Sequence, residues 1–407
     1  MVGQRGVVAT DASARVTPLE IFFDLVFVYA LTQVTALLAT DISAIGFARG
    51  LVVLALVWWC WVGYSWLGNV AQADEGLLRI AFFAVMMAMF VMAITIRESF
   101  TDLPGGLPAP LVFVACYMVA RVVHVGLFRL AAAGDVGLRR QLSRFAVTVA
   151  VSVALLTAGA LLGPPWQLPL WTGALLADLG GTAAIGASGW RLRAPGHFSE
   201  RHGLIIIIAL GESIVAIGVG VAELPISWPV VVASTIGIAL AAAIWWLYFD
   251  VIALVAEHAL ERADSAAMPR LGRDAFSYLH LPMVAGIVVA ALGLKKTLEY
   301  VGGADDHDWT DPLTGLAGWA LPIGVGLFVV AHIAFRLRIG KVFSISCLVA
   351  VVALSVLGVV GPTLSVLLAL ALVTLVMIAL VTFETITHAE AREDLRHERH
   401  HAPEAAG

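Results

Sequence analysis

Twelve stretches of about twenty mostly apolar residues, joined by short polar segments, constrain this chain more than any other feature. A helix needs roughly 20 such residues to cross the hydrocarbon core of a bilayer. Within that core every backbone N–H and C=O must find its partner inside the protein, which makes helices the expected element. The apolar runs predict spans at 19–39, 48–67, 77–96, 108–130, 143–163, 167–189, 203–222, 228–254, 277–297, 314–335, 342–360 and 363–385. The expected fold class is all-α, a polytopic membrane helix bundle of about twelve transmembrane helices. Gly163-Pro164 and Gly361-Pro362 are expected to mark tight turns between spans.

Composition excludes the soluble alternatives. The 407 residues are 60% hydrophobic and 13% charged, against roughly 45–50% and 25% in soluble domains. A soluble globule could not hide that much apolar surface. The net charge of -5 is spread over connecting loops and argues for no nucleic-acid partner. The lipid bilayer is the expected surrounding, and a homo-oligomer is compatible with it. Cys60, Cys116 and Cys347 lie in apolar runs without zinc or redox spacing, so neither a disulfide nor a metal site is expected. The first eighteen residues are polar, carry Arg5 and Arg15, and run straight into a full-length span. That pattern does not match a cleavable signal peptide.

Lys and Arg concentrate in cytoplasmic loops of membrane proteins. With the N-terminus inside, nineteen of the 24 Lys and Arg fall on cytoplasmic segments. Four (Arg49, Arg97, Lys295, Lys296) fall outside, and Arg121 lies within a span. The expected placement is the plasma membrane, multi-pass, with both termini cytoplasmic. An even number of spans is needed to keep this alternation.

The halves share landmarks. Leu25–Gln33 in span one resembles Leu204–Glu212 in span seven at an offset of 179. Trp58-Trp59 matches Trp245-Trp246 at 187, and the two Gly-Pro pairs match at 198. His124–Arg129 in span four echoes His332–Arg336 in span ten. Internal repeats are common among transporters, so a parallel six-plus-six repeat is expected. Its halves would be residues 1–190 and 191–387, followed by a cytoplasmic tail at 388–407.

An ionisable group at the centre of a membrane helix costs roughly 2.5–3.5 kcal/mol and usually faces the protein interior, in a pathway or a structural pair. Span one opens with Glu20 and Asp24, four residues apart and so on one helix face. Asp24 is expected one to two turns inside the cytoplasmic leaflet. Two carboxylates this close disfavour each other's charge unless a cation stands between them. They read as an ion or proton site, or as acidic anchors at the positive end of the helix dipole. Span seven carries Arg201 at its start and Glu212 near mid-membrane, beside Gly211, which would admit a neighbouring helix. Asp178 in span six precedes Gly180-Gly181, which would permit a kink or close packing. Asp250 ends span eight after Trp245-Trp246, an interfacial belt in one reading. His280 begins span nine, and His332 lies in span ten; each is a proton relay in one reading and a helix–helix hydrogen bonder in the other. Asp24, Asp250, His280 and His332 fall at similar depth and could share one hydrated vestibule.

Two clusters read as bland. Asp305-Asp306-His307-Asp308 reads as a solvated turn, and the tail from His388 to His401 as a solvated helix end. No phosphate-binding loop, nucleophile elbow, zinc-protease or dinucleotide glycine pattern occurs in the sequence, so no cofactor is expected and an enzyme is the less favoured reading.

Three segments together resemble the bacterial low temperature requirement A (LtrA) family: Pro18–Val28, Glu200–Ser213, and Trp245–Asp250 with Tyr278–Pro282. The resemblance covers nearly the whole chain. It implies a polytopic membrane protein associated with growth in the cold and supplies no mechanism. Arg15 with Phe22-Phe23-Asp24 is more distantly similar to the Arg…Phe-Ser-Asp signature of potassium channels of lysosomes and bacteria, whose duplicated members carry six-plus-six spans. Here Phe23 replaces the serine and Gly203 stands where the second half would match Asp24, so the likeness bears on architecture rather than on an identical pore. The expected function is an ion- or proton-coupled transporter or channel. Asp24 and Glu212 would handle a small cation or proton, assisted by His280 and Asp250. The alternatives are a structural or sensory protein of cold adaptation and a membrane-embedded enzyme acting on lipids.

Overall fold

The computed structural model describes residues 8–222, 224–303 and 307–387. The proposed tail at 388–407, Asp305-Asp306 and Arg5 lie outside the described residues. Among the described residues fourteen α-helices follow one another: α1 Pro18–Thr40, α2 Ala44–Val70, α3 Gly76–Ile94, α4 Ala109–Ala131, α5 Val136–Leu162, α6 Gln167–Ile185, α7 Pro195–Val221, α8 Trp228–Phe249, α9 Ile252–Glu261, α10 Met268–Leu271, α11 His280–Val301, α12 Gly315–Gly340, α13 Ile345–Val360 and α14 Val366–Thr387. Among the described residues the only β pairing is an isolated bridge between Ala9 and Ala71. With α8–α9 and α10–α11 each taken as one element, twelve helical spans among the described residues are long and apolar enough to cross a membrane.

The expected span centres hold, and several ends move outward. The seventh span starts at Pro195 rather than near 203, and the ninth begins at Met268 rather than 277. Gly163 closes α5 at φ 64 and Gly361 follows α13, so both Gly-Pro pairs do mark turns. Between α10 and α11 the chain forms a π-helical turn, Gly272–Tyr278.

The core is apolar, but large apolar side chains are also exposed on the helices while several charged ones are buried. Val359, Ile226 and Ile386 are each more than 70% exposed, whereas Arg121, Asp178, Arg201, Glu20 and Asp24 are essentially inaccessible. Hydrocarbon tolerates exposed valine and isoleucine, while a charge must turn inward to find a partner. That distribution is what a bilayer selects.

The described residues form two compact units, Met1–Glu212 with Leu260–Leu281, and Ser213–Ala259 with Pro282–Gly407. In the first, α2 is the core helix. Trp58, Trp59, Trp61 and Trp66 are all buried on it. Trp58 Nε1 donates to the Ser277 carbonyl and Trp66 Nε1 to Ser277 Oγ, each at 2.9 Å, which seats the π-helical turn against α2. Also in this unit, a Cβ on Gly181 would lie 2.6 Å from Thr148 Cγ2, so Gly181 serves close packing of α6 on α5, whereas one on Gly180 would meet nothing within 4 Å. In the second unit α11 and α12 approach through glycines. A Cβ on Gly286 would stand 2.6 Å from Phe328 N, and one on Gly324 2.3 Å from Ala290 N. Small residues give membrane helices the dispersion contact that hydrophobic burial cannot supply there. Gly211 differs from expectation: a Cβ there would meet nothing within 4 Å, so no helix leans on it. Trp245 and Trp246 are 44% and 43% exposed, unlike the buried Trp58-Trp59 pair they match in sequence.

Candidate functional site

The first unit concentrates its buried charge where α1 and the first half of α7 run alongside each other. Helix α1 starts with a capping box: Thr17 is the N-cap, its hydroxyl accepts from the Glu20 backbone N–H, and Glu20 Oε2 accepts from the Thr17 backbone N–H at 3.0 Å. Both Glu20 oxygens also lie 3.0 Å from His197 Nε2. One turn on, Asp24 Oδ1 accepts from Arg201 Nη2 and from Trp61 Nε1, both at 2.9 Å. Arg201 Nη1 is 3.9 Å from Glu20, and its guanidinium stands over the Trp61 ring at 5.6 Å from the centroid. The cation that two neighbouring carboxylates require is therefore Arg201. Glu20–His197 and Asp24–Arg201 share the same separation of 177 residues, so the two helices run in the same direction.

Asn69, at the end of α2, sets the imidazole. Its Oδ1 accepts from the Arg193 N–H at 2.7 Å, and its Nδ2 donates to the Ala194 carbonyl at 2.6 Å. These bonds fix which end of the amide is the NH₂, and that end faces His197 Nδ1 at 3.4 Å. A donor there leaves Nδ1 to accept, so Nε2 carries the proton donated to Glu20. Two carboxyl groups thus share one guanidinium, with the imidazole bonded to Glu20 alone. Asp24 Oδ2 is buried and has no hydrogen-bond partner among the described residues. Gly68 makes room for the cluster, since a Cβ at this position would lie 2.3 Å from Glu20 Oε1.

Glu212 continues the polar edge. Thr32 Oγ1, eight residues beyond Asp24 on α1, donates to Glu212 Oε2 at 2.6 Å. From Glu20 to Thr32 the helix rises roughly 18 Å at 1.5 Å per residue. His280 joins from the other side: its ring lies 5.2 Å from that of His202, which lies 5.0 Å from Trp61. Of the expected residues, Glu20, Asp24 and Arg201 thus form one network, with His280 and Glu212 at its margins.

The others are placed elsewhere. Asp178 takes both oxygens to Arg121 Nη2 at 2.9 Å, and accepts from Tyr117 Oη at 2.8 Å. This pair ties α4 to α6. Asp250 and His332 belong to the second unit. Asp250 sits at the break between α8 and α9 and lines a cavity of about 240 Å³ with Arg336 and Glu384. Arg336 and Glu384 are themselves paired at 2.8 Å. His332 is fully buried and stacks on Phe328 at 6.1 Å. In the loop after α11, Asp308 accepts from the Thr310 backbone N–H at 2.6 Å, which closes a turn.

His197, Asn69 and Trp61 were not singled out from the sequence. Pro195 was the available signal for His197, because proline favours the first turn of a helix and so places α7's start before the charged residues. Nothing local marks Asn69. Among the described residues no group of three His, Cys, Asp or Glu is arranged to hold a metal ion.

A protein of Rhizobium meliloti (strain 1021), described as uncharacterized, is 28% identical over 356 residues, 84% of this chain and 83% of its own length. No solved structure matches. The bacterial low temperature requirement A protein family matches residues 15–382, nearly the whole helical region just described. With its twelve apolar helices, the chain is a multi-pass membrane protein and belongs to the LtrA family.

Proposed function

We propose that this protein is an ion- or proton-coupled membrane transporter or channel, and that the Glu20–Asp24–His197–Arg201 network handles the coupling charge. The observation that carries the reading is the sharing of one guanidinium by two buried carboxyl groups. The imidazole bonds Glu20 alone, and one Asp24 oxygen is unpartnered among the described residues. An uncompensated buried charge is expensive. Two carboxyl groups on one permanent cation are therefore suited to bind and release a proton or small cation. Thr32 on α1, bonded to Glu212 on α7, extends the polar edge of this helix pair toward mid-membrane. With the N-terminus cytoplasmic, as the Lys and Arg distribution argues, the network lies at the inner mouth of that track. The parallel pairing of α1 with α7 also agrees with a six-plus-six repeat, in which these helices are equivalents.

The test is flux in proteoliposomes under an imposed pH or potassium gradient, read with entrapped pH- and potassium-sensitive dyes. Asp24→Asn is expected to lower flux by at least tenfold and Glu212→Gln to lower it measurably. Wild-type flux no greater than that of empty liposomes, or unchanged flux in both variants, refutes the proposal.

A further inference from the structure

A second feature of the first unit is independent of that network. Behind α2 lies a small cavity of about 40 Å³, lined among others by Trp59, Trp190, Arg121, His124, Phe145 and Arg273. A water needs roughly 10–15 Å³ of such volume, so the space suits a species of one to four heavy atoms. It is too small for a nucleotide or a sugar.

Its wall carries three unpartnered N–H donors, beside His124, whose two ring nitrogens also find no partner among the described residues, and the hydroxyls of Thr182 and Ser277. Trp59 Nε1, Arg121 Nε and Arg273 Nη1 are buried N–H donors without an acceptor among the described residues. They come from three separate segments: α2, α4 and the π-helical turn. Trp59 and Arg121 are 4% and 1% exposed. Leaving a buried donor unsatisfied costs roughly 1–3 kcal/mol, so three around one space call for an acceptor. The carboxylates cannot serve. Asp178 already takes Arg121 Nη2 on both oxygens, and Asp274 takes Arg273 Nη2 at 2.7 Å. Both guanidiniums are thus held in place by one edge while another N–H remains free. Much of the remaining wall is aromatic. Trp190 and Phe145 meet edge to face at 5.6 Å, and Arg121 lies over Phe145 at 5.0 Å. Arg273 projects from the π-helical turn, a geometry that recurs at functional sites. Ser277, one turn on and also on the wall, is held by the Trp58 and Trp66 hydrogen bonds. At 15% exposure, the Arg273 side chain is the least buried of the three donors and marks the outlet.

We propose that this cavity binds one small inorganic anion, a halide or a planar oxyanion such as nitrate, on the Trp59, Arg121 and Arg273 N–H groups. Charge-assisted bonds from two guanidiniums and one indole would satisfy three donors at once. The size of the space excludes larger polyanions.

The experiment uses the full-length protein, purified in detergent in gluconate buffer at constant ionic strength. Bromide, nitrate and sulfate are titrated, with thermal stability and tryptophan fluorescence as readouts. Saturable stabilisation by bromide or nitrate, and none by sulfate, is expected. Trp59→Phe and Arg273→Gln should each raise the half-saturating concentration at least tenfold, while a variant at the exposed Arg79, Arg79→Gln, should leave it unchanged. If Trp59→Phe does not fold, Arg273→Gln decides alone, since its side chain reaches the surface. Absence of a saturable response, an equal response to sulfate, or unaltered titration in Arg273→Gln overturns the proposal. Because the readout is binding, its failure leaves the flux reading untouched, and the reverse holds.

Discussion

Arg201 is the side chain whose removal tests the electrostatic account most sharply. It is fully buried and lies 2.9 Å from Asp24 and 3.9 Å from Glu20, both about 1% exposed. At an effective dielectric of 20, those separations correspond to attractions of roughly 6 and 4 kcal/mol. Taking the guanidinium out of water opposes this by several kcal/mol. Replacing Arg201 by Met removes both terms and strands two carboxylates against each other. The expected loss is about 3–5 kcal/mol of unfolding free energy, the range for breaking a buried pair. That is roughly two to three and a half orders of magnitude in the folding equilibrium. The assay is reversible unfolding in mixed micelles of dodecyl maltoside and SDS, followed by tryptophan fluorescence and far-UV circular dichroism. The companion variant carries Arg201→Met, Asp24→Asn and Glu20→Gln together, so that no charge is left unmatched. It should recover at least about 2 kcal/mol relative to Arg201→Met alone, a non-additivity expected only of groups in one network. A single-variant loss below about 1 kcal/mol, or a triple variant no more stable than the single, would refute the reasoning.

Two further perturbations probe the neighbourhood. Gly68→Ala drives a methyl to 2.3 Å from Glu20 Oε1 and must push the carboxylate off His197; a loss of about 1–3 kcal/mol is expected from overpacking, and wild-type stability in the same unfolding assay would contradict the placement of Glu20. Asp135 is the N-cap of α5, accepting from the Leu138 N–H at 2.9 Å and pairing with Arg191, and these bonds hold its carboxyl below the ordinary carboxylate range. Asp135→Ala should lose about 0.5–2 kcal/mol at neutral pH. Because the folded-state value is lowered, the wild-type advantage is complete above the unfolded value near ~4 and disappears as pH falls through the folded one. An advantage that persists undiminished at pH 2 would exclude the carboxylate as its source.

Much of the fold was legible in the sequence. A bilayer demands about twenty apolar residues per helix, a requirement local enough to be read from Leu25, Ile205 or Val373 and their neighbours without any tertiary knowledge. The Gly-Pro turns and the acidic start of α1 are equally local. The ends of the spans were less legible where charges belong to the helix. Glu200-Arg201-His202 reads as loop because each residue is expensive in lipid, yet α7 begins five residues before Glu200. The expense disappears only because Arg201 faces Asp24, 177 residues away.

The partition of the ionisable residues was decided by tertiary structure alone. From sequence, Asp24, Glu212, Asp178 and Asp250 are alike, each a carboxylate in an apolar helix. Packing separates them: Asp178 bonds Arg121 and Tyr117, Glu212 bonds Thr32, and Asp24 keeps one oxygen without a partner among the described residues. Asn69, an ordinary polar residue at a helix end, turns out to stand against the His197 ring that bonds Glu20. Hydropathy acts on each residue through its own side chain and can be read one position at a time. The state of a buried charge depends on what stands within a few ångströms of it, and only the folded chain supplies that neighbour.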